Sequence, residues 1–340
     1  MGALVSYNDN RYELNEEENV LDCLLRSGQS VPHSCKVGVC QACIMKVVDG
    51  DIPARAQNGL KDSYKKQHYF LACQCYPGKD ISVVLPSEAS LSIKANIIGI
   101  SYLSNSIMCL RLLPSILFEY QAGQYVTIAN SDNVIRSYSI SNHLNIDGYI
   151  EFHIRLIPTG KMSTWLRDYA KLDDELVLRG PAGNCFYLKE ANSDYPIILA
   201  GTGTGLAPLY GILVDALEQD HQGEITLYHG TLTVEDLYFI EELKKLADVF
   251  DNFHYFPCVL NGEGGLFYRV GNLEDIVMNK VNDHIADARL YLCGAPELVN
   301  SIKTKAFIAG VVPSHIFSDA FYPAMENEKV AKERRTTDRK

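Results

Sequence analysis

The chain has 340 residues, 47% of them apolar and 21% charged, with a formal net charge of −11 at pH 7. Such a composition describes a globular chain of two or three domains, each able to bury its own core. No apolar run approaches the ~20 residues that a membrane helix needs, and no secretory leader is visible. Residues 89–325 hold 16 basic against 27 acidic side chains, so a nucleic-acid partner, which needs clustered Lys and Arg, is not expected.

From the amino end, residues 1–88 alternate as short strands over Ala3–Tyr7 and Tyr12–Leu14. A helix at Val20–Arg26 follows, then strands at Ile44–Val48 and Ile81–Leu85. That order predicts a small mixed sheet clasping one helix, and the short polar run Pro86–Ser90 reads as a linker. Residues 93–190 are dominated by strands with period-two stretches at Tyr125–Ala129, Arg136–Ser141, Tyr149–Leu156 and Glu175–Leu178, which predicts an antiparallel barrel. Over residues 194–325 strand, turn and helix repeat: Ile197–Leu199 with Leu206–Glu218, Ile225–Tyr228 with Val234–Leu246, and Leu290–Leu292 with Pro296–Ala309. This alternation predicts a parallel α/β sheet with helices on both faces. Residues 326–340 are basic without apolar periodicity and read as a disordered tail.

Four cysteines carry the clearest chemistry. Cys35-x4-Cys40-x2-Cys43, with Cys73 further on, is the ligand spacing of a plant-type [2Fe–2S] cluster. The loop from Ser34 to Cys43 can curl three thiolates round the cluster, and Gly38 is free to take a positive φ that turns backbone N–H groups toward the sulfurs. Cys73 fits the register of a fourth ligand better than Cys75, two positions on. Structural zinc asks for two C-x2-C pairs instead. The other six cysteines show no pairing rhythm, as expected of reduced thiols in a cytoplasmic protein.

The turn Gly201-Thr202-Gly203-Thr204-Gly205 follows an apolar strand and opens a helix, so its N–H groups can face a pyrophosphate at the positive end of the helix dipole. It departs from G-x-G-x-x-G, whose third glycine would fall on Leu206, so an ordinary Rossmann dehydrogenase is not the best match.

Four further segments, in order, resemble the ferredoxin–NADP reductase superfamily. Arg136-Ser137-Tyr138-Ser139 is similar to its R-x-Y-S flavin motif, in which the Arg meets the flavin phosphate, the Tyr packs on the isoalloxazine and the Ser lies near its reactive nitrogen. His153-Ile154-Arg155, followed by Gly160-Lys161-Met162-Ser163, resembles the second flavin segment, where a Gly-x-x-Ser turn binds the pyrophosphate. Cys293-Gly294-Ala295-Pro296 resembles the nicotinamide-side motif. Asp319 and Phe321, in Phe317–Tyr322, match the acid and aromatic that flank the flavin.

With the cluster segment in front, residues 1–325 resemble the reductase components of multicomponent bacterial oxygenases, of the naphthalene dioxygenase reductase type. The resemblance implies a β-grasp ferredoxin module, a flavin barrel and a nucleotide domain in that order, with FAD as the flavin. It implies catalytic roles for Ser139, Cys293 and Asp319, the first two as positioning groups and not nucleophiles. His229–Asp236 contains no Lys or Arg to meet a 2′-phosphate, which favours NADH. Electrons are then expected to run from NADH to FAD to the cluster to a separate acceptor chain, because no oxygenase domain is present here. That acceptor is expected to be an oxygenase or hydroxylase component. A sugar-deoxygenation dehydrase, free-standing flavin or ferric reduction, and a redox-sensing regulatory subunit are the alternatives.

Overall fold

The computed structural model describes residues 3–33, 35–38, 42–60, 62–86, 91–142, 148–189, 194–264, 267–281 and 287–322. Cys40, linker residues 87–90 and the tail 326–340 lie outside the described residues.

The first sheet contains β1 (Leu4–Tyr7), β2 (Asn10–Glu13), β3 (Ile44–Asp49), β4 (Tyr69–Leu71) and β5 (Ile81–Val84) in the order β2-β1-β5-β3-β4. Only β1 and β5 run parallel. Helix α1 (Val20–Arg26) starts where the sequence places it, because Asn19 caps it by accepting from Asp22 N at 2.9 Å. Its buried stripe of Val20, Leu21, Cys23 and Leu24 closes over a core that includes Val5, Met45, Phe70 and Cys75. The sequence reading passed over β4 and helix α2 (Asp62–Lys66), of three and five residues, which are too short for a periodic signal.

The second sheet contains β6 (Leu91–Ser104), β7 (Ile107–Pro114), β8 (Tyr125–Ala129), β9 (Ile135–Ser139), β10 (Ile150–Arg155) and β11 (Glu175–Ala182), in the order β10-β7-β6-β11-β8-β9. Every pair is antiparallel. Just past β9, Ser141 N donates to Glu151 O on β10 at 3.0 Å, which brings the two ends of the sheet together as a barrel. β6 begins at Leu91, ahead of the expected boundary at residue 93. β7 gave no alternating signal because Ile107, Met108, Cys109 and Leu110 are buried in succession. Helix α3 (Lys161–Asp168) starts at the Gly160 N-cap.

The third sheet is parallel throughout. It contains β12 (Ile197–Thr202), β13 (Ile225–Thr231), β14 (Phe253–Val259), β15 (Arg269–Val270), β16 (Arg289–Gly294) and β17 (Ile316–Ala320), in the order β15-β14-β13-β12-β16-β17. Helices α4 (Leu206–Glu218), α5 (Ile240–Val249), α6 (Leu273–Val281) and α7 (Pro296–Ile308) belong to this segment. Strand order reverses at β12, which puts the ligand crevice at the carboxyl ends of β12, β13 and β16.

One helix differs from expectation. Val234–Leu246 breaks into a short turn at Val234–Asp236, closed by a Thr233/Asp236 capping box, and α5. Between them Phe239 takes a left-handed φ of 62° as the cap residue of α5. Its ring lies 5.0 Å from His153 and 4.8 Å from Tyr210, contacts that local sequence cannot report.

Candidate functional site

A cavity of about 1050 Å³ opens where the barrel meets the carboxyl ends of the parallel strands. From the barrel it is lined by Arg136, Tyr138, Ser139, His153, Arg155 and the helix start Gly160, Lys161, Met162 and Ser163. The parallel sheet contributes Thr202, Gly203, Thr204, Gly294, Asp319 and Phe321. Arg136 and Tyr138 lie two apart on β9 and so share a face, the buried phenol being pushed up in pKa by desolvation. Ser163 is engaged locally, its Oγ accepting from Ile157 N at 3.0 Å, which leaves the backbone start of α3 as the anion-facing element.

The three expected catalytic residues converge only in part. Ser139 Oγ donates to Asp319 Oδ2 at 2.8 Å, across 180 positions of sequence. Burial raises the Asp319 pKa, and the bond from Ser139 only partly offsets that. Cys293 pairs with Asp319 in the β16/β17 register, yet its thiol is fully buried and does not line the cavity. It lies 3.7 Å from the Cys185 thiol, a neighbour 108 positions away that no local pattern signals. Desolvation and that thiol push the Cys293 pKa well up, so the group is neutral.

The glycines of the nucleotide loop are required for different reasons. Gly203 has φ +54°, and a Cβ there would lie 2.7 Å from Arg155 Nη2. A Cβ on Gly205 would lie 2.4 Å from Cys293 O. Gly201 and Gly205 therefore pack against β16, whereas Thr202, Gly203 and Thr204 face the cavity. The loop is tied to the next motif by Ala295 N donating to Thr202 Oγ1 at 3.1 Å, and to the carboxy-terminal segment by Phe321 N donating to Gly294 O at 2.8 Å.

His153 belongs to a buried polar group behind the cavity. Its Nε2 lies 3.2 Å from Glu151 Oε1 and its Nδ1 3.2 Å from the Tyr238 hydroxyl, while Arg111 Nε donates to Glu151 Oε2 at 2.8 Å. Beyond Tyr238, His229 is fully buried with neither ring nitrogen at good hydrogen-bonding geometry. Burial pulls its pKa down to about 4, so it is neutral. Cys109, Glu151 and His153 cluster closely enough to hold a metal, but this carboxylate is already spent on Arg111 and His153.

Burial alone would raise the Glu151 pKa; hydrogen bonds from His153 and Arg111 outweigh it and hold the group at about 2 against 4.5 when unfolded. Its stabilisation is thus complete above pH 4.5 and lost as pH falls toward 2. Glu151→Gln is expected to remove an acid-dependent loss on the order of 3 kcal/mol, read as urea midpoints that fall less steeply between about pH 4.5 and 2 than in the wild type.

Beside the first sheet, Cys43 and Cys73 are both buried, and Ala72 N donates to Cys43 O at 3.0 Å, which sets the two cysteines side by side. Burial and the Cys73 thiol push Cys43 up to about 11. Val37 N points at Cys35 Sγ (3.4 Å), and Gly38 takes φ +85° as expected. Gln74 Nε2 lies 3.7 Å from Cys73 Sγ. Lys36 is left-handed too, and its Nζ pairs with Asp22 at 2.7 Å, holding the loop to α1. Three soft donors, two on this loop and Cys73 in the short turn Ala72–Gln74 after β4, suit an iron–sulfur cluster, and Cys40 lies outside the described residues.

Comparison with known proteins agrees with this division of labour. The chain matches a 2Fe-2S iron-sulfur cluster binding domain over residues 6–78, an oxidoreductase FAD-binding domain over 94–187 and an oxidoreductase NAD-binding domain over 199–304. It is 32% identical over 330 residues to the ferredoxin–NAD(P)(+) reductase component of a naphthalene 1,2-dioxygenase system from Pseudomonas putida, covering 95% of this chain and 99% of that one. The chain belongs to the reductase components of oxygenase systems, in the ferredoxin–NADP reductase superfamily. The xylene/toluene monooxygenase electron transfer component of Pseudomonas putida is 29% identical to this reductase, with 92% and 91% of the two chains covered. Among solved structures, an Amycolatopsis cytochrome P450 reductase superposes with a TM-score of 0.66 at 28% identity, covering 95% of this chain and 100% of that one. The reductase is an oxidoreductase that uses a [2Fe–2S] cluster, FAD and a nicotinamide dinucleotide. Among its described residues no helix is long and apolar enough to cross a membrane.

Proposed function

We propose that this reductase draws electrons from NADH and delivers them, through FAD and a [2Fe–2S] cluster, to a separate oxygenase component in the cytoplasm. The observation that carries this reading is the 2.8 Å Ser139–Asp319 bond, which joins the flavin segment of the barrel to the nucleotide sheet at the floor of one cavity. When bound, FAD would supply acceptance of a single hydride, two electrons at once, and the cluster would supply one-electron transfer, chemistry that belongs to the cofactors.

The side chains bind and orient. Arg136, Arg155 and Lys161 supply the positive charge of the cavity, and Tyr138 offers a flat wall. His153 acts from behind, fixing Glu151 and Tyr238. Thr202, Gly203, Thr204 and Gly294 form the dinucleotide cradle, with Gly201, Gly205 and Cys293 packed beneath it. Asp319 holds or releases a proton at Oδ2 against Ser139 Oγ, and Phe321 closes that side. Cys35, Cys40, Cys43 and Cys73 hold the cluster. Modules at 1–88, 93–190 and 194–325, with a tail at 326–340, are supported by one sheet in each segment.

NADH is preferred because every Lys or Arg lining the cavity comes from the barrel and none from the nucleotide sheet. At the end of β13 the exposed residue is Leu232, 58% accessible. The kcat/KM ratio of NADH to NADPH is expected to exceed about tenfold, and Leu232→Arg to narrow it by a similar factor by offering a 2′-phosphate a partner.

The test of the main reading is an anaerobic NADH titration of the iron- and FAD-loaded protein, followed by flavin absorbance and the paramagnetic signal of the reduced cluster. Reduction of both centres supports the chain; an intact cluster that stays oxidised while the flavin bleaches defeats it.

A further inference from the structure

Side chains that the reading above does not use meet where the first sheet touches the barrel. Gln67, in the turn after α2, donates Nε2 to Gly183 O at 3.2 Å and accepts at Oε1 from Gln124 Nε2 at 2.9 Å. Gln124, only 2% exposed, shares the same Gly183 carbonyl at 3.1 Å. Lys66 Nζ donates to Gln121 Oε1 at 3.0 Å beside them. The hydrogen bonds named across this seam run from amides and one lysine, beside a cavity wall of tyrosines, and the apolar core of the first sheet includes no barrel residue. A seam of this polar kind is only marginally stable, so individual hydrogen bonds decide how often it is closed.

The seam also lies on the short way from the flavin cavity to the cysteines. Tyr125 and Asp319 line both the large cavity and a smaller one of about 270 Å³, whose other wall includes Tyr64, Gln67 and Tyr69. Tyr64 and Tyr69 meet edge to face at 5.5 Å. Tyr69 and Tyr125 stand in the wall of the same small cavity, one from each side of the seam. Tyr69 opens β4, and the chain runs directly from that strand through Ala72 to Cys73.

We propose that the Gln67–Gln124 amide pair is the positioning device for internal electron transfer, seating the Tyr64/Tyr69 face of the cluster module on the Tyr125 wall of the flavin cavity. This rests on the electron path proposed above. The two electrons of each NADH would cross this seam singly, the separate acceptor component taking the first from the cluster before the second arrives, while the hydride step on the far side of the cavity does not depend on it.

The test is anaerobic rapid mixing of fully loaded Gln67→Met protein with NADH, resolving flavin bleaching by absorbance and cluster reduction by freeze-quench EPR. Bleaching is expected within about twofold of wild type and cluster reduction slower on the order of tenfold, the population effect of losing these hydrogen bonds. The cluster midpoint potential and EPR line shape are expected to stay unchanged. Gln67→Glu, which keeps an acceptor for Gln124 Nε2 but sets a carboxylate oxygen against Gly183 O, is expected to slow cluster reduction as well. Cluster reduction that keeps pace with wild type overturns the proposal, as does a slowed rate accompanied by a shifted cluster potential. Failure of the underlying electron path is distinguishable, because the unmutated cluster then stays oxidised under NADH, and the proposal falls with it.

Discussion

Cys73→Ser is expected to strip iron from the amino-terminal module while leaving the flavin reducible by NADH; Cys75→Ser is expected to leave the iron in place. The two cysteines are two positions apart and both buried, so spacing alone separates them only weakly. Cys43, Cys73 and Cys75 all lie in the same buried core, so what separates the two candidates is which thiol stands beside Cys43. Cys73 is held beside Cys43 by the bond from Ala72 N to Cys43 O, and the Gln74 amide lies 3.7 Å from its sulfur. Cys75 belongs to the apolar core under α1, where its carbonyl accepts from Val20 N at 2.9 Å. Burial pushes its thiol up to about 12 as it pushes Cys43 up to about 11, so the sulfur neighbour and not the pKa marks the ligand. Cys75→Ser buries a hydroxyl in that core and costs about 1–3 kcal/mol of stability without touching the cluster. Iron per chain, visible absorbance and the EPR signal of the dithionite-reduced protein read the outcome. Retained iron in Cys73→Ser, with loss in Cys75→Ser, reverses the ligand assignment.

What could be read from the sequence was what local chemistry enforces. Gly38 adopts the positive φ expected between two cysteines, and α1 begins at a residue whose side chain caps it. α4 runs over Leu206–Glu218 as expected because the glycine turn before it can pack only one way against β16. The rest depended on contacts far apart in sequence. Ser139 finds Asp319, Cys185 faces Cys293 and Gln124 bonds Gln67 over separations of 180, 108 and 57 positions. A single sequence carries no local signal for such pairs. The break at Phe239 is of the same kind, since a left-handed aromatic is held by His153 and Tyr210 from other elements. The Cys293 motif was recognisable, but its thiol turns to Cys185 instead of into the cavity, an orientation set by tertiary packing.

Gly205→Ala is expected to slow hydride transfer from NADH by about 10²-fold, a larger effect than its one added methyl suggests. The new Cβ would lie 2.4 Å from Cys293 O, 2.7 Å from Cys293 C and 3.0 Å from Gly294 Cα. All three are backbone atoms of β16, so no side chain can swing away and the strand end itself must shift. β16 carries Cys293 in register with Gly201 on one side and Asp319 on the other, so the displacement is passed to the Ser139–Asp319 pair and to Gly294 in the cavity wall. Misplacement of reacting groups by about 1 Å is enough for a loss of this size. Overpacking adds about 1–3 kcal/mol of destabilisation. Gly78→Ala is the control, because nothing lies within 4 Å of a Cβ built there. Anaerobic flavin bleaching by NADH, read beside thermal melting, separates the two consequences. A Gly205→Ala protein that melts early but bleaches at the wild-type rate would show that β16 tolerates the shift, and that the third glycine serves packing alone.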